Sequence, residues 1–228
     1  GFSTMAELYD LFEGNAENAY DPLDTERDER RGFVPTTKGD GNPLETDEDA
    51  IAEEATGIGI GFLQGQQYDN DGEKLEQRNG NPLIFTKTLP GLTGNNEATG
   101  IRVVKYHPKN GSYYNGQILF RYSDAHLMKA EAILRGGTSS ETALDLVNEL
   151  RGKRNASTMA AVTLDNILDE RARELYTEMV RRTDMIRFGA FTENWSYKGG
   201  TSDATRNKFP IPSVALGSNP NLTQNPGY

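Results

Sequence analysis

The residues best able to do chemistry are carboxylates set inside helix-forming stretches. Asp124 and Glu131 lie in ILFRYSDAHLMKAEAILRGG (118–137), and Glu170, Glu174 and Glu178 recur at i, i+4 and i+8 further on. Residues three or four apart share one helix face. Two carboxyl groups facing a cleft could act as acid and base on a glycosidic bond, and Asp124 with Glu174 would be the pair to test. The same stretches carry Arg121, Arg151, Arg154, Arg171 and Arg182. A carboxylate buried beside an arginine usually holds helix register and is not a catalyst. Arg121, Asp124, Glu131, Arg151, Arg171, Glu174, Arg182 and Asp184 are therefore expected to form a structural ion-pair network. Asn148 with Arg151, and Arg181, Asp184 and Arg187, are read in the same structural way.

Aromatic side chains are the second chemical resource. Sugar rings stack their C–H faces on flat side chains while polar neighbours bind the hydroxyls. Tyr20, Phe62, Tyr68, Tyr113, Tyr114 and Trp195 are the expected ligand contacts. Tyr113 and Tyr114 in GSYYNG, and Tyr68 beside Gln66 and Gln67, sit among turn residues. Phe62 and Trp195 also have a plain packing reading, and Tyr106, in a strand-like run, is expected in the core. No metal or cofactor is expected. The chain has no cysteine and two separated histidines, His107 and His126. The run Asp69-Asn70-Asp71-Gly72 lacks the acids an EF-hand needs at Gln67 and Arg78, and reads as an Asx-rich turn.

The elements that must position these groups divide at residue 117. The net charge of the 228-residue chain is −10, and the acidic excess lies in 1–117, whereas 118–228 is nearly balanced. An acidic surface repels phosphate, so nucleic acid is a poor partner. No apolar run approaches the length of a membrane span. Residues 1–117 are broken by Gly, Pro, Asn and Asp clusters. They predict a helix over 5–13, a hairpin of 75–78 with 83–88 through Asn79-Gly80-Asn81, and a strand over 101–106. From 118 the pattern turns helical. The first helix is predicted to end at Gly136-Gly137, with Ala125, Met128 and Ala132 on one apolar face and Leu127, Ala130 and Leu134 on another, so that both sides pack. Ser139 or Ser140 is the expected cap of a second helix, a third spans 163–181, and a short one covers 183–188. The proline-rich tail, 207–228, is expected to be extended.

The order and wording of these stretches are more specific than their periodicity. RYSDAHLMKAEAILRGG (121–137), LVNELRGKRNA (146–156), TLDNILDERARELYTEMVRRTDMIRFGAF (163–191) and FPIPSVALGSNPNLTQNPGY (209–228) resemble, in order, four motifs of the SusD-like (RagB/SusD) family. GIGIGFLQGQQYD (57–69), GIRVVKY (100–106) and DERR (28–31) resemble its loops. Ser123 departs from the usual alanine, and Thr177 and Met179 vary the region after the ER-x-x-EL glutamate. The resemblance is to the C-terminal part of the family. It implies a mainly α fold of tetratricopeptide-like helical hairpins with a long irregular loop region and a few short strands. It further implies a non-catalytic lipoprotein on the outer-membrane surface that captures an oligosaccharide and passes it to a TonB-dependent, SusC-like barrel. The lipid anchor and part of the ligand site would lie in an N-terminal half absent from this chain. The alternatives are a glycoside hydrolase using paired helix carboxylates, and an interaction-only transporter lid.

Overall fold

The computed structural model describes residues 3–13, 28–33, 60–67, 74–105 and 118–228. Two compact units divide the chain, Gly1–Met179 and Val180–Tyr228. The elements of the first are β1 (Ser3–Thr4), α1 (Ala6–Tyr9), β2 (Gly32–Phe33), β3 (Ile60–Leu63), β4 (Gly65–Gln66), β5 (Ile84–Phe85) and β6 (Ile101–Val104). Then follow α2 (Tyr122–Leu134), α3 (Ala143–Gly152) and α4 (Leu164–Leu175). The second unit holds α5 (Arg181–Arg187) and α6 (Ser213–Ser218). The fold is mainly helical with a few short strands, as expected.

The strands form an antiparallel sheet in the order β1-β6-β3-β2, with Phe62 opposite Val103. Its apolar face meets α1 and the end of α4. Phe62 is wholly buried, its ring 5.9 Å from that of Tyr9, 5.0 Å from Phe12 and 4.9 Å from Tyr176. Edge and tilted contacts of this kind add to simple burial. The predicted 79–81 turn exists, with Gly80 at φ +82° and donating to the Gln77 carbonyl. Its two arms are joined by the bridge Glu76 to Pro82 and by backbone bonds from Gln77 to the Asn81 carbonyl and from Leu83 to the Leu75 carbonyl, and beyond them the second arm pairs as β5 with β4.

Helix ends follow local chemistry. α2 closes in a Schellman motif: Gly136, at φ +101°, donates to the Ile133 carbonyl and Gly137 to that of Ala132. The cap of α3 is Thr142, in place of the expected Ser139 or Ser140, because Asp145 three residues on completes a capping box. Thr163 and Asn166 do the same for α4. α2 runs antiparallel to α3: Lys129 pairs with Glu141, and His126 Nε2 lies 2.8 Å from the Leu146 carbonyl. Asn148 ties the α3–α4 connection, donating to the Met159 carbonyl at 3.0 Å and accepting from its amide at 2.8 Å.

Two helix expectations need correction. α4 ends at Leu175, because Tyr176 turns extended (φ −57°, ψ 146°) and Thr177 and Met179 both take positive φ. Met179 is therefore exposed, and Glu178 leaves the helical stack. α2 packs on one side only. Leu127 and Ala130 face α3 and α4, whereas Ala125, Met128 and Ala132 are exposed.

In the second unit α5 also ends in a Schellman motif, at Gly189. The tail is not wholly extended. SVALGS contains no proline, and Pro212 occupies the N-cap of α6, where the missing N–H costs nothing. Side-chain amides hold the rest. Gln224 accepts from the Ile211 amide at 2.8 Å and donates to its carbonyl at 3.0 Å, and Asn225 donates to the Phe209 carbonyl at 2.8 Å. The Tyr228 hydroxyl donates to the Lys208 carbonyl at 2.8 Å.

Replacing the buried ring at the centre of the aromatic cluster, Phe62→Ala, is expected to lower unfolding free energy by about 3–5 kcal/mol, measured by urea denaturation. A loss below about 1 kcal/mol would contradict the packing described.

Candidate functional site

Glu170 and Glu174 project from successive turns of α4 into the interior, both almost fully buried. Cations from four places in the chain converge on them. Arg30, just ahead of β2, reaches Glu170 at 2.7 Å, Glu174 at 3.1 Å and Asp28 at 2.6 Å. From α3, Arg151 meets Glu170 at 2.9 Å and Arg154, beyond its C-cap, meets Glu174 at 2.8 Å. Arg173 joins Glu170 at 2.6 Å from one turn along α4. Arg121, at the N-cap of α2, pairs with Glu174, holds Glu178 at 2.8 Å and also donates to Ser123. Ser123 thus gains a hydroxyl contact that an alanine would lack.

The remaining network residues are also placed. Asp124 lies 2.8 Å from Arg171, Glu131 is 2.8 Å from Arg135, and Asp184 is 2.8 Å from Arg187. Arg182 is the exception: it lies over the rings of Phe191 (4.8 Å) and Phe209 (4.1 Å) and donates to the Arg206 carbonyl. Its charge meets π faces and a backbone oxygen, which sequence spacing does not reveal. Arg30 and Lys105 are members that the sequence reading missed. The signal available was DERR, an acid–arginine cluster far from the helices it joins.

The hollow beside this lattice, about 460 Å³, is lined by Arg30, Lys105, Arg121, Arg154, Glu174 and Tyr176 among others. Lys105 lies 4.2 Å over the Tyr176 ring, 2.5 Å from Glu178, and donates to the carbonyls of Glu174 and Tyr176. Burial lowers its pKa, partly offset by Glu178. Burial alone would raise the pKa of Glu174, but hydrogen bonds and charge from Arg154 and Arg121 outweigh it and bring the carboxyl down to about 2. Glu170 is likewise lowered against its burial by Arg30 and Arg173, and Glu178 by Arg121 and Lys105. Glycosidic cleavage needs one carboxyl that keeps its proton near neutrality. These three are held ionised and ligated, the reverse of that requirement.

The aromatic candidates scatter. Phe62 is a correction: its ring is wholly buried core, in contact with three others. Trp195 is 43% exposed and Tyr197, two residues on, is 40% exposed. Tyr20, Tyr68, Tyr113 and Tyr114 lie outside the described residues, as do Tyr106, His107 and the Asp69-Asn70-Asp71-Gly72 turn. Among the described residues no group of acids and histidines is arranged to hold a metal.

The lattice makes stability depend on acid in a definite direction. A carboxyl with a depressed folded pKa binds fewer protons folded than unfolded, so its contribution is complete above the ordinary value of 4.5 and fades as pH falls toward 2. For Glu174 the loss is on the order of 3 kcal/mol. Thermal melts are expected to fall steeply between pH 4.5 and 2. Glu174→Gln should flatten that part of the profile while costing about 3–5 kcal/mol at neutral pH, since it strands buried arginines. An unchanged acid limb in the variant would refute the assignment.

Comparison with known proteins supplies the lineage. A family model described as the SusD family matches residues 1–228. Starch-binding protein SusD of Bacteroides thetaiotaomicron is 43% identical over 167 residues, covering 65% of this chain and 29% of that protein. A SusD-like protein of Formosa agariphila is 33% identical over 146 residues, 56% of this chain and 28% of that one. The chain thus spans less than a third of the length of either relative. The crystal structure of a SusD-like protein from Bacteroides fragilis matches 100% of this chain and 47% of its own, with a TM-score of 0.58 at 17% identity, a likeness of fold. With the motif order read from the sequence and the helical fold in agreement, the chain belongs to the SusD family.

Proposed function

We propose that this chain serves non-catalytic capture of an oligosaccharide at the outer-membrane surface and its delivery, unaltered, to a TonB-dependent SusC-like barrel. The observation that carries the reading is the state of the helix carboxylates. Glu170, Glu174 and Glu178 are ionised and saturated by arginine and lysine, so they are scaffold. Family membership agrees, and a relative is named for starch binding. Cargo would then be held by surface groups, with Trp195 and Tyr197 among the exposed aromatics of the described residues. Tyr20, Tyr68, Tyr113 and Tyr114 are the further ligand contacts of this reading. A lipid anchor and additional ligand-binding residues belong to a longer chain of which this is a part. No helix among the described residues is long and apolar enough to cross a membrane.

A glycan array followed by calorimetry with starch-derived and other oligosaccharides tests the reading. Binding without release of reducing ends is expected, weakened about tenfold by Trp195→Ala, a loss typical of one stacking platform. Hydrolysis of a bound glycan that Glu174→Gln or Asp124→Asn abolishes would overturn it in favour of a hydrolase. Absence of binding to any glycan would favour the transporter lid.

A further inference from the structure

Four residues other than glycine hold a positive φ among the described residues: Asn155, Thr177, Met179 and Tyr197. Asparagine tolerates that conformation. Thr177 and Met179 flank Glu178, whose carboxylate is drawn onto Arg121 and Lys105, so the ion lattice fixes their backbone. Tyr197, at φ +64°, is different. It lies at the third position of a turn that the Lys198 amide closes by donating to the Trp195 carbonyl at 3.1 Å. A positive φ at that position favours glycine or asparagine, and a bulky side chain there is strained. The sequence supplies glycine at 199 and 200, where φ is +75° and +141°, but keeps tyrosine at 197. A strained residue persists only where its surroundings hold it, and such residues cluster at ligand clamps.

The loop from Thr192 to Ser202 does the holding. The Ser202 amide closes its ends by donating to the Thr192 carbonyl at 2.8 Å, and the Gly200 amide donates to Asn194 Oδ1 at 2.9 Å. Lys198 Nζ ties together the carbonyls of Phe191 and Glu193. A compact loop fastened to itself presents its side chains with little freedom left to lose on binding. Trp195 and Tyr197, both exposed on it, are two residues apart, so their Cα atoms are separated by no more than about 7 Å. That spacing is on the scale of one sugar unit, and flat side chains take the C–H faces of pyranose rings. Charge narrows the class. The loop's one ammonium, on Lys198, is committed to backbone carbonyls, and its one carboxylate, Glu193, is exposed. A uronate or sulfated sugar would be repelled by Glu193, whereas neutral sugar hydroxyls donate to it. We infer that the 192–202 loop is a preorganised two-ring clamp for adjacent units of a neutral pyranose chain, with Tyr197 strained for the placement of its ring and Lys198 as the positioning residue. The clamp rests on the capture reading of Trp195 and Tyr197 and deepens it.

Trp195 is the sole tryptophan, so intrinsic fluorescence reads the loop directly. The chain is titrated with maltoheptaose, laminarihexaose and cellohexaose as neutral probes and with hexagalacturonate as the acidic one, fluorescence and calorimetry being recorded together. At least one neutral probe is expected to shift Trp195 emission and to bind at least about tenfold more tightly than hexagalacturonate. Tyr197→Gly should raise the melting temperature by about 2–4 °C by releasing the strain, and yet weaken neutral-glycan binding about tenfold. Tyr197→Phe, which returns the flat ring, should recover most of that affinity. Lys198→Met should weaken the same binding about fivefold, and Lys198→Arg, which keeps a donor, should recover part of it. A Tyr197→Gly chain that melts below the parent would show the ring to be packing, and unchanged affinity would show it to be idle; either overturns the clamp, as does equal binding of hexagalacturonate. Calorimetric heat from a neutral probe without any change in Trp195 emission would also overturn it while leaving the capture reading intact. No binding by either method would sink both.

Discussion

Glu170 and Glu174 are charges held out of water, and the architecture of the first unit is arranged to make that tolerable. An unpaired buried carboxylate would cost several kcal/mol, so each must be matched by cations with good geometry. Here the matching guanidinium groups come from Arg30, Arg121, Arg151, Arg154 and Arg173, which span most of the chain. Guanidinium suits the task because its planar fork can serve two carboxylates at once, as Arg30 does. Neither the sheet nor the α2–α3 pair can shift along α4 without stranding a charge. Packing alone, with residues as interchangeable as Leu127, Leu146 and Ile167, would resist such sliding less strictly.

Much of this was legible beforehand, for reasons that can be named. Gly136-Gly137 and Gly189 announced their helix ends because a positive φ favours glycine. The acid–arginine spacing announced a network. What stayed hidden were features decided by tertiary contacts. Nothing local in Leu175-Tyr176-Thr177-Glu178-Met179 stops a helix; the break appears only once Tyr176 is drawn into the Phe62 and Phe12 rings and Glu178 onto Lys105. The partner of β5 was equally unreadable, since Gln66 and Ile84 lie far apart in sequence and a nearer strand was available. Of the proposed ligand aromatics, Phe62 was misread because a β-strand alternates its sides, and one phenylalanine among glycines does not reveal which side faces inward.

The functional reading follows from the same economy of charge. A carboxylate committed to two arginines cannot also lend and recover a proton, so scaffold and catalyst are exclusive roles at these positions. Loops held by such a rigid frame are where binding residues belong, because they can vary without disturbing buried pairs. Trp195 and Tyr197 sit on a connection of the second unit, where Lys198 donates to the carbonyls of Phe191 and Glu193.

The tail of the second unit is fastened differently, by amides. Gln224 mimics a strand partner for Ile211, and Asn225 captures the Phe209 carbonyl. Primary amides carry no ionisable proton and no net charge, so this clasp is indifferent to acidity and weakly sensitive to salt. The frame of the first unit and the tail of the second thus differ in their response to the medium: an environment sour enough to loosen the glutamate–arginine frame would leave the C-terminal loop still buckled.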